Sequence, residues 1–92
     1  MAVYVDRLEM RGSWRYGKSC HLIADSVQEL KDFAVRIGMK LEWFQPNSSP
    51  HFDLTASRRA AAVKLGAIEL DNRTFVTKIQ ELRERRKDGE PV

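Results

Sequence analysis

Cys20-His-Leu-Ile-Ala24-Asp-Ser26-Val-Gln-Glu29-Leu30-Lys-Asp-Phe33-Ala34-Val-Arg-Ile37-Gly38 is the stretch that decides the fold. Its first five residues are mostly apolar and read as a strand. Asp25 or Ser26 then caps a helix, and Ser26-Val-Gln-Glu29 fits the capping box, in which the serine and glutamate side chains each cover the other residue's free N–H. From there Val27, Leu30, Phe33, Ala34 and Ile37 recur at steps of three and four, which puts them on one helical face. Gly38 stops the helix, because glycine tolerates the left-handed conformation that follows a helix end.

Outward from this unit the signals are weaker. Ala2-Val-Tyr-Val5 is a short β-type run. Residues 10–18 are polar and turn-rich, with Gly12 and Gly17. Leu41-Glu-Trp-Phe44 reads as a brief extended segment, Gln45 to Pro50 as a loop, and His51 to Leu54 as extended or irregular. Thr55 or Ser57 opens a second helix that runs through three alanines to Gly66. Ala67 to Leu70 is a strand. Asn72 or Thr74 caps a last helix whose apolar stripe is Phe75, Ile79 and Leu82. The order β-β-α-(β)-α-β-α predicts a small α/β sandwich, with a sheet of three to four short strands covered by about three helices. Trp43 and Phe44 are expected in the core. One domain is expected over residues 1–88, with 89–92 a flexible tail.

The composition is that of an ordinary soluble globular chain: 42% hydrophobic and 32% charged, enough for one modest core. No apolar run approaches the roughly 18–20 residues that cross a bilayer, so no membrane partner is expected. The first residues lack a basic start followed by an apolar run, so no signal peptide is read. The single cysteine, Cys20, has no internal partner, which points to a reducing, cytoplasmic setting. The net charge of +3 sits largely in Arg83, Arg85, Arg86 and Lys87, interleaved with Glu81, Glu84, Asp88 and Glu90. That pattern reads as a solvated mixed-sign helix face, with a nucleic-acid-binding tail as the sharper alternative.

The chemistry concentrates in His51-Phe-Asp53-Leu-Thr55-Ala-Ser57-Arg58-Arg59. A loop turns into a helix there, and a helix start offers unpaired N–H groups and partial positive charge. Arg58 and Arg59 fall in the first turn, where cations are locally disfavoured. That placement suggests either anion binding or pairing with Asp53, Asp6 or Glu69. His51 and Asp53, two residues apart in an extended segment, project to one side and can share acid–base work. Asp6 follows a strand and is either a turn residue or a site residue. His21 sits inside a strand; it is either a satisfied, partly buried histidine or a ligand contact. Adjacent strand residues face opposite sides, which rules out a Cys20–His21 pair. Trp14-Arg15-Tyr16-Gly17-Lys18 joins stacking rings to Arg15 and Lys18 on a loop. The assignment is therefore His51, Asp53 and Asp6 as candidate catalytic residues. Arg15, Lys18, His21, Ser57, Arg58 and Arg59 are assigned to ligand binding.

No metal and no cofactor are assigned. His51 and Asp53 are two ligands where zinc takes three or four, and Asp6 or His21 would have to join from elsewhere. Gly12-Ser-Trp-Arg-Tyr-Gly17-Lys18-Ser19 matches the spacing of a P-loop, but a strand follows where that motif needs a helix.

Tyr4-Val5-Asp6, Cys20-His21-Leu22-x-Ala24-Asp25, Trp43-Phe44-Gln45, His51-Phe52-Asp53-Leu54 and Arg58-Arg59-x-Ala61 together resemble a family of short bacterial and phage proteins. That family is classed only as a domain of unknown function. The likeness runs from residue 3 to about residue 70 and implies a complete small protein of bacterial or phage origin. It carries no established activity, so it supplies no catalytic residues. Three functions follow from the residues. The first is binding of a phosphate-bearing ligand, a nucleotide or nucleic acid, through the helix N-terminus and its paired arginines. The second is a small hydrolase or transferase acting on phosphate or nucleotide bonds, with His51 as acid–base. The third is a phage or host accessory protein that binds another protein. A homodimer is compatible with a chain of this size, though nothing in the sequence fixes a symmetry.

Overall fold

Antiparallel pairing and two helix layers organise the chain. A computed structural model of the protein describes residues 2–10, 17–46 and 49–87, with side chains described through residue 85. The elements are β1 (Val3–Val5), β2 (Glu9–Met10), β3 (Lys18–Ala24), α1 (Val27–Arg36), a 3₁₀ turn (Leu41–Trp43), β4 (Phe52–Thr55), α2 (Ala56–Leu65), β5 (Ile68–Glu69) and α3 (Asn72–Lys87).

β3 is the centre of the sheet. Val5 and Phe52 both pair with Leu22, and Glu9 and Thr55 both pair with Ser19. A strand residue has one neighbour on each edge, so β1 and β2 lie end to end along one edge of β3 and β4 lies along the other. β5 adds to β1 in parallel. Among the described residues, five strands and three α-helices make this a mixed α/β domain, with more strands than expected. The additional strand is the two-residue β2, which overlaps the turn-rich stretch of residues 10–18 only at Met10.

The pleat divides the core in two. On one face Val3, Val5, Cys20, Leu22, Ala24, Phe52 and Leu54 pack against α1 and α2 through Leu30, Phe33, Ala34 and Ala62. Phe52, Leu22, Leu30 and Leu54 are fully buried, and each contributes roughly 1.5–3 kcal/mol of burial. On the other face Tyr4 and Ile23 meet Phe75 and Leu82 of α3. The result is a three-layer sandwich, helix pair over sheet over helix.

The helix ends follow the sequence closely, with exceptions. Ser26 caps α1 by accepting from Glu29 N. Thr55 caps α2 by accepting from Arg58 N, and Gly66 closes that helix with φ of 117°. α3 is capped by Asp71, whose Oδ1 accepts from Thr74 N at 2.7 Å; neither Asn72 nor Thr74 does this. Leu41–Trp43 is a 3₁₀ turn rather than an extended segment, and His51–Leu54 supplies most of a true strand instead. Phe44 packs on the core, tilted against Phe52. Trp43 does not: it is 42% exposed, with the cations of Lys40 and Arg58 over its ring. Among the described residues no helix is long and apolar enough to cross a membrane. The loop aromatics Trp14 and Tyr16, with Arg15 and residues 88–92, lie outside the described residues.

Candidate functional site

Strand register builds the site. His21 pairs directly with Asp53 across β3 and β4, so the two side chains rise from neighbouring positions on the α3 face. His51 stands two residues before Asp53 and shares that face. It is tied back by the bridge between His51 and Gln45, which closes the preceding loop on itself. Asp6, just past β1, reaches the same place from the other edge of β3.

The four side chains form one connected cluster, with His21 as its link to Asp6. Asp6, only 5% exposed, accepts from His21 N at 2.7 Å through one carboxylate oxygen. Its other oxygen faces His21 Nδ1 at 2.8 Å. His51 Nδ1 lies 2.8 Å from the carbonyl oxygen of Ser49. A carbonyl or carboxylate oxygen only accepts, so each imidazole must carry its proton on Nδ1. In the neutral form of each ring Nε2 is then a bare lone pair. The two Nε2 atoms converge on one atom: Asp53 Oδ1 lies 3.9 Å from His21 Nε2 and 3.5 Å from His51 Nε2. The second Asp53 oxygen accepts from Gln45 Nε2 at 2.7 Å. The rings meet edge to face at 5.5 Å, and His21 stacks on Phe75 of α3.

A cleft of about 390 Å³ opens over this cluster, between α3 and the sheet. His21, His51 and Asp6 form its floor; Phe75, Val76 and Ile79 form an apolar wall, with Asn72 and Arg83 at its edge. Arg83 donates through Nε to Ser49 Oγ at 3.1 Å. Sequence reasoning missed the whole α3 contribution. Phe75 and Ile79 read there as an ordinary apolar stripe, and no local pattern says which sheet face a terminal helix will cover. Gln45 was missed as well; its signal was a turn-rich segment placed directly before His51-Phe-Asp53.

The arginines are elsewhere. Arg58 NH1 donates to the carbonyl of Ile37 at 2.8 Å, at the C-terminal end of α1. Arg59 Nε donates to the backbone carbonyl of Asp6 at 2.8 Å, and its NH1 pairs with Glu69 at 3.1 Å. Neither guanidinium lines the cleft. Ser57 is exposed in the first turn of α2, with its hydroxyl 3.2 Å from that of Thr55. Lys18 is exposed at the start of β3 and lies outside the cleft lining. Of the sequence-assigned residues, the fold thus brings together Asp6, His21, His51 and Asp53. It sets Lys18, Ser57, Arg58 and Arg59 apart from them.

The fold and site define a small three-layer α/β protein with a histidine–aspartate floor under an open cleft. The chain belongs to the family described as Protein of unknown function (DUF4031), whose model matches residues 3–82. That span includes every residue of the floor, most of α3 and part of the cleft edge. No curated protein and no solved structure matches the chain.

Proposed function

We propose that the chain is a small hydrolase acting on an ester or anhydride bond of a phosphate-bearing ligand held in the cleft. The observation that carries this is the convergence of the His21 and His51 Nε2 atoms and the Asp53 carboxylate on one point beside the cleft floor. Lone pairs gathered around one point suit activation of a water molecule. In the reaction a water oxygen bonds to phosphorus, the bond from phosphorus to the leaving oxygen breaks, and the water's proton ends on the leaving oxygen. A volume of about 390 Å³ suits a nucleotide-sized ligand. The phosphate is assigned to Arg83, the arginine at the cleft edge, since Arg58 and Arg59 are engaged behind the sheet. The wall of Phe75, Val76 and Ile79 offers an apolar surface to the organic part of the ligand.

Purified protein offered nucleoside mono-, di- and triphosphates, a nitrophenyl phosphate monoester and diester, and short RNA tests this. Turnover of at least one member is expected, lost in His21→Ala and in His51→Ala while circular dichroism stays that of the folded protein. Equal rates for wild type and the His21→Ala/His51→Ala double variant across the panel overturn the proposal.

A further inference from the structure

We infer that His21 Nε2, His51 Nε2 and Asp53 Oδ1 are three ligands to one divalent transition-metal ion, with zinc the best match. The cleft reading above supplies its role in catalysis, and for that role alone the inference rests on it. Sequence reasoning assigned no metal because it saw two ligands; the register of β3 against β4 supplies the third.

Three observations carry the inference. First, the ligand atoms are already close to coordination spacing. A tetrahedral ion with bonds of about 2.1 Å holds its ligands about 3.4 Å apart. Here the two nitrogen-to-carboxylate distances are 3.5 and 3.9 Å, and all three atoms lie within 4.8 Å of one another. Small side-chain rotations bring them onto one centre.

Second, the protonation pattern is the one a metal needs. Each ring donates its Nδ1 proton to an oxygen behind it, Asp6 for His21 and the Ser49 carbonyl for His51. Metal-ligating histidines are held in this way, the second nitrogen bound to a carboxylate or carbonyl that fixes tautomer and orientation. Asp53 is held likewise by Gln45. Every one of the three ligands therefore has its own supporting partner.

Third, the arrangement suits a cation. With both rings neutral, two lone pairs and an anionic oxygen meet at a common centre. A positive charge placed there turns three repulsive contacts into three attractive ones. Two imidazoles and a carboxylate are also a donor set that suits zinc and its first-row neighbours rather than calcium or magnesium. The cluster borders the cleft rather than being sealed, as a catalytic zinc with one open position requires. Water in that position has its pKa lowered to about 7, which supplies the nucleophile for the hydrolysis proposed above.

The full chain, stripped with chelator and titrated with zinc chloride by calorimetry, tests the inference. One ion per chain is expected to bind, and cobalt chloride at the same site is expected to give visible bands of a low-coordinate ion. His21→Ala and His51→Ala should each weaken zinc binding by more than the roughly 10- to 100-fold lost when a supporting partner is removed. Asp32→Asn, an exposed carboxylate on α1, should leave it unchanged. Absence of saturable one-to-one binding, or binding retained in the double histidine variant, overturns the inference. Zinc binding without turnover of any phosphate substrate supports the metal site and defeats the hydrolase reading. Turnover that chelator treatment leaves intact supports the hydrolase and defeats the metal site.

Discussion

Replacing Asp6 by asparagine isolates what that carboxylate does for His21. The carboxylate accepts from His21 N at 2.7 Å and from His21 Nδ1 at 2.8 Å. Asparagine keeps one oxygen, which can continue to accept from the backbone amide. Its amide group then faces Nδ1 with two hydrogens, and two donors cannot bond. The imidazole resolves the conflict by moving its proton to Nε2. One charge-assisted bond worth about 1.5–3 kcal/mol becomes a neutral one worth about 0.5–1.5 kcal/mol. The loss is therefore roughly 1–2 kcal/mol, and a domain this size should melt roughly 4–16 °C lower. Two assays separate the steps. Thermal unfolding reads the stability, and long-range nitrogen-15 spectra of the histidine rings read which nitrogen carries the proton. Wild type should show Nδ1–H on His21, and the Asp6→Asn variant should show Nε2–H. Zinc affinity should fall about 10- to 100-fold at the same time, since Nε2 no longer offers a lone pair. A variant that keeps the Nδ1–H tautomer and melts within about 4 °C of wild type refutes this account of Asp6.

Two further predictions concern the frame around the site. Gly38→Ala should destabilise the protein by at least about 1–2 kcal/mol, read from the urea midpoint. Gly38 sits at φ of 83°, a left-handed conformation costly for other residues, and the new methyl would meet the Arg58 guanidinium. Tyr4 should ionise only above the ordinary tyrosine range, because burial disfavours the phenolate and its hydroxyl donates to Asp25 at 2.9 Å. A raised folded-state pKa means that this stabilisation is complete below about pH 10 and is lost as pH rises through the folded value. Stability measured across the alkaline range should therefore fall above about pH 10, and Tyr4→Phe should flatten that fall.

Much of the fold was legible because its signals are local. The Ser26 cap, the stripe from Val27 to Ile37 and the stop at Gly38 lie within thirteen consecutive positions, and each acts on its neighbours in the chain. The spacing of His51 and Asp53 was legible for the same reason, since alternation along a strand needs no partner to be inferred. What could not be read is which strands meet. His21 and Asp53 are thirty-two positions apart, and only the register of β3 against β4 makes them neighbours. A slip of one residue would turn Asp53 to the opposite face. The metal-ligand count therefore stopped at two in the sequence and reached three in the fold.

Arg58 shows the same limit from another side. A cation in the first turn of a helix is misplaced by local electrostatics, and that misfit suggested a bound anion. The fold resolves it differently. The side chain leaves α2 and donates to the carbonyl of Ile37, where the last turn of α1 exposes its carbonyl oxygens and concentrates negative charge. Arg58 is thus at the wrong end of its own helix and at the right end of its neighbour's. Arg59 acts in parallel, joining the carbonyl of Asp6 to Glu69 of β5. Through that bond it fixes the backbone that aims the Asp6 carboxylate at His21. Arg59 therefore serves the histidine cluster from behind the sheet by holding the backbone of Asp6, while Arg58 ties α2 to the end of α1.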